Sequence, residues 1–253
     1  MINEQRRKKI LQFLRKEGTL NVESLAARLG VSGATLRSDL RELEKEQVVR
    51  RSHGLVSPSI LNVTDLPVAE KYNIRREEKE RIGLLAASLI CEGDSLLVTS
   101  GTTAEALARV FPDGQKLNVV TSSIRVASIL STKKVIRIVV LGGTLVSNSL
   151  SVRDDYSLMG LDNIHAGKLF FSCDGFDLGA GITTAFPEEA RLTCRMMSCA
   201  DEIILLADSS KLGRIGFGRI AGWEEIDTLI TDSEIPTAVR SSIESLGVRV
   251  LIA

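Results

Sequence analysis

Cysteine and histidine are scarce in this 253-residue chain, with four of the first and two of the second. Cys91, Cys173, Cys194 and Cys199 form no C-x-x-C pair, and only His53 and His165 could assist them, which argues against a zinc site. The four cysteines read instead as small buried hydrophobes. No apolar run reaches the ~20 residues of a membrane span. The start, Met1 to Lys9, is polar and charged, unlike a secretory leader, so the expected compartment is the cytoplasm. No internal repeat and no low-complexity tract interrupts the chain. Net charge is missing too, since 32 Lys and Arg offset 32 Asp and Glu.

That balance hides an asymmetry. Residues 1–56 carry twelve Lys or Arg against seven Asp or Glu, and residues 57–253 carry twenty against twenty-five. A basic piece on an acidic body suggests that only the first piece meets a polyanion. Hydrophobic residues at 44% and charged residues at 25% are ordinary for a globular protein with a sizeable core.

The basic piece reads as three helices and a hairpin. Ile10, Leu11, Phe13 and Leu14 give the first helix its apolar side, and Gly18 ends it. Asn21 is placed to cap a second helix, with Leu25, Ala26 and Leu29 as its buried stripe. Gly30-Val31 makes a tight turn. Ser32 caps a third helix, 33–46, with Leu36, Leu40 and Leu43 at helical spacing. Val48 to Arg51 and Leu55-Val56, around Ser52-His53-Gly54, form a β-hairpin. This is a winged helix-turn-helix pattern. The third helix offers small and polar residues at its start and a cation nearby, as a helix entering the major groove requires. Ser32, Thr35, Arg37 and Ser38 are its candidate DNA contacts. Arg50, Arg51 and His53 at the wing are candidates for the backbone or the minor groove.

A break in periodicity marks a linker over 58–69. One helix is expected over 70–91. Beyond it, seven apolar strands (95–98, 117–120, 135–141, 168–172, 203–207, 228–231 and 248–252) alternate with helical stretches at 103–111, 123–131, 187–199 and 236–246. That alternation predicts a mostly parallel, Rossmann-like α/β sheet covered on both faces. The expected division is 1–57 for DNA, 58–69 as linker and 70–253 as a sensing domain. Polar or glycine-rich segments fall at the strand ends, where open α/β sheets gather ligands. They are Thr99-Ser100-Gly101-Thr102-Thr103, Thr121-Ser122-Ser123, Gly142-Gly143-Thr144, Asp174 to Asp177 with Gly179 to Thr184, and Asp208 to Lys211. The first opens a helix, and its N–H groups, hydroxyls and close-approach glycine suit a phosphate. Lys211 is expected to neutralise that phosphate or bind a hydroxyl, while Asp174 and Glu189 read hydroxyls.

Residues 31–40, V-S-G-A-T-L-R-S-D-L, and the ordered run S-G-T-T, V-T-S, L-G-G, D-G-F-D, E-E-A and D-S-S-K resemble the DeoR family of bacterial sugar-responsive repressors. The stretch from Asp174 to Lys211 is most similar to members that control sugar-alcohol and amino-sugar pathways. The resemblance covers nearly the whole chain. It implies a sensor domain related in fold to ribose-5-phosphate isomerase and CoA transferases. It also implies a double-stranded operator and a phosphorylated sugar or sugar-alcohol effector, with no cofactor. Arg6, in the paired basic residues of the first helix, joins the DNA-binding set. The chain departs from the family pattern at Ser38, Leu55, Thr99, Ser122 and Asp154. A homo-oligomer is expected, because dimers read paired half-sites.

Two rivals remain. An isomerase could use Asp174 and Asp177 as base and partner. The stretch 178–187 carries no lysine to stabilise an enediolate, although Lys211 could substitute. An architectural DNA-binding protein would need no polar strand-end loops. The expectation is a sensor and not an enzyme.

Overall fold

Leucine spacing builds the first unit. The structure is a computed structural model and describes residues 3–45, 49–52, 54–58 and 68–253. Helices α1 (Asn3–Glu17), α2 (Val22–Leu29) and α3 (Gly33–Lys45) close around Ile10, Leu14, Leu25, Leu36 and Leu40, all fully buried. Strands β1 (Leu20–Asn21), β2 (Val49–Ser52) and β3 (Leu55–Pro58) form a sheet in the order β1-β3-β2. Asn21 caps α2 as expected, its carboxamide oxygen accepting from the N–H groups of Glu23 and Ser24 at 2.8 and 3.2 Å. The Ser32 hydroxyl accepts from the Thr35 N–H at 3.1 Å and opens α3. Val48, His53 and most of the expected linker, 59–67, lie outside the described residues.

The second unit opens with a correction. The helix expected over 70–91 is two helices, α4 (Val68–Asn73) and α5 (Arg76–Ala87). Arg75 between them takes a left-handed conformation, φ 55°. Its guanidinium donates to Ser209, Asp232 and Glu234, anchors that a continuous helix would miss. The buried Lys79 ammonium donates to the carbonyls of Lys71 and Ile74 at 2.7 and 2.6 Å, replacing helical partners lost at the break.

Strands β4 (Ser95–Val98), β5 (Leu117–Thr121) and β6 (Ile136–Val140) are followed by the short pair β7 (Leu145–Val146) and β8 (Ser151–Val152). Then come β9 (Ala166–Ser172), β10 (Gly175–Asp177), β11 (Gly181–Thr184), β12 (Ala200–Leu206), β13 (Gly218–Ala221), β14 (Thr228–Thr231) and β15 (Arg249–Ile252). The helices among them are α6 (Thr102–Arg109), α7 (Ile124–Leu130), α8 (Asp155–Met159), α9 (Pro187–Met197) and α10 (Thr237–Ser245). The seven strands expected from the sequence form one sheet, ordered β15-β14-β12-β9-β4-β5-β6, with every pairing parallel. Alternation along them feeds two cores. Leu96, Val98, Phe170, Ile204 and Leu206 pack with α5, α6 and α7, while Leu97, Leu169, Phe171 and Leu205 pack with α9 and α10.

Two further expectations change. The segments 174–177 and 179–184 contribute strands β10 and β11, which with β13 make a small antiparallel sheet. Cys91 and Cys194 are exposed, so only Cys173 and Cys199 are buried.

Candidate functional site

The DNA-reading candidates separate into an exposed face and a supporting frame. Ser32, Arg37 and Ser38 are exposed on or at the start of α3, and Thr35 is half-buried with its hydroxyl 2.8 Å from that of Ser32. Leu36 and Leu40 hold the opposite side of the helix in the core. Arg41, one turn beyond Arg37 and also exposed, belongs to the same face; its i, i+4 spacing was the available signal. Arg6 does not belong there. It is buried, donating through Nε and Nη2 to both oxygens of Asp39 on α3, the Nη2 bond at 3.0 Å. A cation already desolvated and paired inside the head ties α1 to the reading helix instead of meeting phosphate. Arg51 is half-buried and forked onto Glu44 of α3 at 2.6 and 2.9 Å, bracing the hairpin against the helix. Arg50 lies on β2 with its side chain outside the described residues, as is His53.

The second site is a cleft at the carboxyl ends of β4, β9 and β12, adjacent strands at the centre of the parallel sheet. Ser100, Gly101 and Thr102 enter it from β4, Asp174 from β9, Lys211 from β12 and Glu189 from α9. Gly101 has φ 121°, and a Cβ there would overlap the Ser172 hydroxyl, so the backbone requires glycine at this position. Asp174 Oδ2 accepts from the Thr184 hydroxyl at 2.9 Å and the Ala185 N–H at 3.0 Å, and Oδ1 accepts from Lys71 Nζ at 3.1 Å. Glu189 Oε2 lies 2.9 Å from the Thr184 hydroxyl and 3.2 Å from Arg153, whose guanidinium stacks 4.3 Å over the Phe186 ring.

Charge in this cleft leans positive. Lys71, Lys79, Arg153, Lys211 and Arg214 line it against three carboxyls, Asp174, Glu189 and Asp208. Burial pushes the Asp174 carboxyl up, but Lys71, the Ala185 N–H and Lys211 outweigh it and leave it below the ordinary range. Burial and the Asp174 charge drive Glu189 the other way, above its ordinary value, with Arg153 opposing. The Thr184 hydroxyl thus stands between two carboxyls whose proton affinities are pushed in opposite directions. Burial, aided by repulsion from Lys211, Lys71 and Arg214, lowers Lys79 to about 8 against the attraction of Asp208. Burial also lifts the Cys173 thiol to about 12, so this cysteine is inert as a nucleophile.

Five sequence candidates do not line the cleft. Thr99 is buried, its hydroxyl accepting from the Ser172 N–H at 3.2 Å and so joining β4 to β9. Thr103 is fully buried in α6. Ser122 is buried, and its carbonyl accepts from Val152. Gly142 and Gly143 form a turn at the end of β6, near the sheet edge, latched by Asp154 and Ser157. Asp154 accepts from the N–H and hydroxyl of Thr144 at 2.7 and 2.9 Å, and the Ser157 hydroxyl donates to the Gly142 carbonyl at 2.7 Å. Strand order explains Ser122, Gly142 and Gly143, since loops after β5 and β6 lie progressively farther from the β4–β9–β12 centre, whereas Thr99 and Thr103 follow the central β4 and are buried beside it. Lys71 and Lys79 were missed because they stand on α4 and α5, ahead of the sheet, and Arg153 and Arg214 because they fall outside the polar segments singled out. Asp177 also stays out, its carboxylate accepting from the Gly179 and Ala180 N–H groups at 2.9 and 3.0 Å, so it cannot partner Asp174. Among the described residues no cluster of three metal-ligating side chains occurs, and no helix is long and apolar enough to cross a membrane.

Comparison with known proteins bears on both sites. The family model described as the DeoR-like helix-turn-helix domain matches residues 6–58, and the one described as the DeoR C terminal sensor domain matches residues 74–233. The chain is 33% identical to the HTH-type transcriptional regulator YulB of Bacillus subtilis, over 99% of this chain and 96% of that one. It is 35% identical to the lactose phosphotransferase system repressor of Streptococcus mutans, over 92% of this chain and 94% of that one. Among solved structures, ribose 5-phosphate isomerase A from Methanocaldococcus jannaschii matches 55% of each chain, with 15% identity and a TM-score of 0.41.

Proposed function

Because the chain belongs to the DeoR family of transcription regulators, we propose that it represses a sugar or sugar-alcohol catabolic operon and leaves its double-stranded operator when a phosphorylated sugar or sugar alcohol enters the cleft. As a member of that family it is a regulator and not an enzyme. In this reading 1–57 is the DNA-binding domain, 58–69 the linker and 70–253 the sensor. Arg37, with Ser32, Thr35, Ser38 and Arg41, reads the major groove from α3, and the wing adds backbone contacts through Arg50. The lactose-system repressor of Streptococcus mutans supports a sugar operon as the target. Two heads are needed for paired half-sites, so the acting species is a homo-oligomer.

One observation carries the effector class. Five cations and three carboxyls share one cleft at the α6 N-terminus, a setting for a dianion with hydroxyls attached. The phosphate lies on the Ser100–Thr102 loop beside Lys211, and Asp174 and Glu189 read the sugar hydroxyls. Calorimetric titration of paired phosphorylated and free sugars tests this. Phosphorylated members should bind at least about tenfold more tightly, as charge-assisted bonds to a dianion require. Equal affinity for the free sugars would remove the phosphate site. The loss of tight binding in Lys211→Gln is a cleaner control than Gly101→Val, which strikes Ser172 whether or not a ligand is present. Footprinting on upstream DNA, with and without the bound sugar phosphate, tests release.

A further inference from the structure

The segment from Asp208 to Arg214 has two faces. One supplies Asp208, Ser210, Lys211 and Arg214 to the cleft. The other carries the reading head. The Thr19 hydroxyl donates to the Leu212 carbonyl, and a Cβ on Gly213 would stand 2.8 Å from that hydroxyl and 2.9 Å from Ser57 Cβ. A Cβ on Gly18 would overlap the Ser210 carbonyl and stand 2.9 Å from both Nε and Nη2 of Arg214. Glycine at 18 is therefore what lets the turn between α1 and β1 settle on this segment. On the far side of Ser210, a groove of about 560 Å3 separates head and sensor, lined by Glu17, Asn21 and Leu55 from one and Arg75, Leu212 and Glu234 from the other.

Arg214 is anomalous within this joint. Among the described residues, its buried Nε and Nη2 meet no hydrogen-bond partner. Buried guanidinium donors are costly to leave unpaired, and native structures rarely do so without a ligand, ion or strain to account for it. The cleft it borders holds only about 90 Å3, against the ~300 Å3 or more usual for small-molecule sites. Entry of a sugar phosphate would require a wall to move, and the 208–214 wall is hydrogen-bonded to the head through Thr19.

We propose that Arg214 is an anion-binding residue of the effector cleft and the joint between effector and head: an anion in the cleft draws its guanidinium off Gly18 and displaces the 208–214 segment, undocking the α1–β1 turn. This rests on the cleft being the effector site. It adds the residue that converts occupancy into head release, with two arrangements of one packed contact as the switching element. Linkage makes the effect reciprocal, so a head held docked weakens anion binding by the same factor.

The test uses the full chain with inorganic phosphate as probe, in wild type, Arg214→Gln, Arg214→Lys and Lys211→Gln. Binding is read from the phosphate dependence of the unfolding midpoint, and docking from deuterium uptake over residues 17–21 and 209–214. Phosphate should stabilise wild type, and Arg214→Gln should lose about tenfold in affinity, with Arg214→Lys intermediate because it keeps the charge but not the fork. Phosphate should raise uptake over 17–21 in wild type and leave Arg214→Gln unchanged. If Arg214→Gln fails to fold, Arg214→Lys carries the test, and wild-type affinity in it overturns the proposal. Wild-type affinity in Arg214→Gln alongside a loss in Lys211→Gln overturns the role of Arg214 and leaves the cleft as the effector site. No phosphate binding in wild type, or equal binding in all four proteins, overturns both. Arg214-dependent binding without a change over 17–21 overturns the joint.

Discussion

Arg37 and Arg6 carry the same charge and meet opposite environments. Arg37 is exposed on α3, so Arg37→Ala should leave the fold intact and weaken operator binding by ~1–3 kcal/mol, the worth of one good contact to a base. Electrophoretic or anisotropy titration at matched salt checks it, and undiminished affinity would move the reading face elsewhere. Arg6 is buried against Asp39, and removing it leaves that carboxylate, among the described residues, only the half-buried Arg7 guanidinium, 3.7 Å away. Arg6→Ala should therefore destabilise the head by about 1–3 kcal/mol, visible as a lowered unfolding midpoint before any DNA is added. Lys79 gives a pH signature. Its folded value is about 8 against 10.5 for the ordinary group. Between those values the unfolded chain holds a proton the folded chain has shed, so this group makes stability rise with pH through that window. Wild type should gain on Lys79→Met by roughly 1–3 kcal/mol across it. A constant gap in denaturant melts would show that the buried ammonium carries no such penalty.

Among the elements, α5 and α6 make the tightest helix contact. A Cβ on Gly83 would lie 2.7 Å from the Ala106 carbonyl carbon and the Leu107 amide nitrogen. Helix propensity alone favours alanine at an interior helical position. Here the backbone of α6 occupies the space, so Gly83→Ala should cost about 1–3 kcal/mol as overpacking does. Thermal or denaturant unfolding decides between the two effects by sign. The pattern of seven strands and four helices was legible because apolar runs and helical periodicity are local properties. The break at Arg75 was not, because its causes, Asp232 and Glu234, stand more than 150 residues away in the chain. Strands β10 (Gly-Phe-Asp) and β11 (Gly-Ile-Thr-Thr) were read as loops for a similar reason: each is a short run opened by glycine, and β11 gains its β13 partner from residues more than 30 positions away.

Across the whole molecule, head and sensor keep separate buried cores, joined by Leu55, which packs from β3 against the sensor core, and by the docking contacts at 209–214. A chain starting near Val68 should lose operator binding and keep phosphate binding, because neither sensor core uses a residue before 68 as a buried member. Gel shift and phosphate-dependent melting check the two halves, and specific DNA binding by that shortened chain would misplace the reading head. The basic excess of residues 1–56 further predicts operator affinity that falls steeply with salt.

The winged-helix pattern, the parallel strands and the ordered motifs follow from spacing along the chain, so the sequence alone determined the fold class and the family resemblance. It also placed Ser100, Gly101, Thr102, Asp174, Glu189 and Lys211, which lie at or beside strand ends and meet in one cleft. Tertiary structure decided which strand ends are central. It turned Thr99, Ser122 and the Gly142-Gly143 turn into supports and brought Lys71, Lys79, Arg153 and Arg214 to the cleft. It also buried Arg6 in an ion pair with Asp39. The physical reason is common to all of these. Whether a charged or polar side chain is free or spent depends on the partner that reaches it, and those partners arrive from distant segments only when the sheet and the two units close.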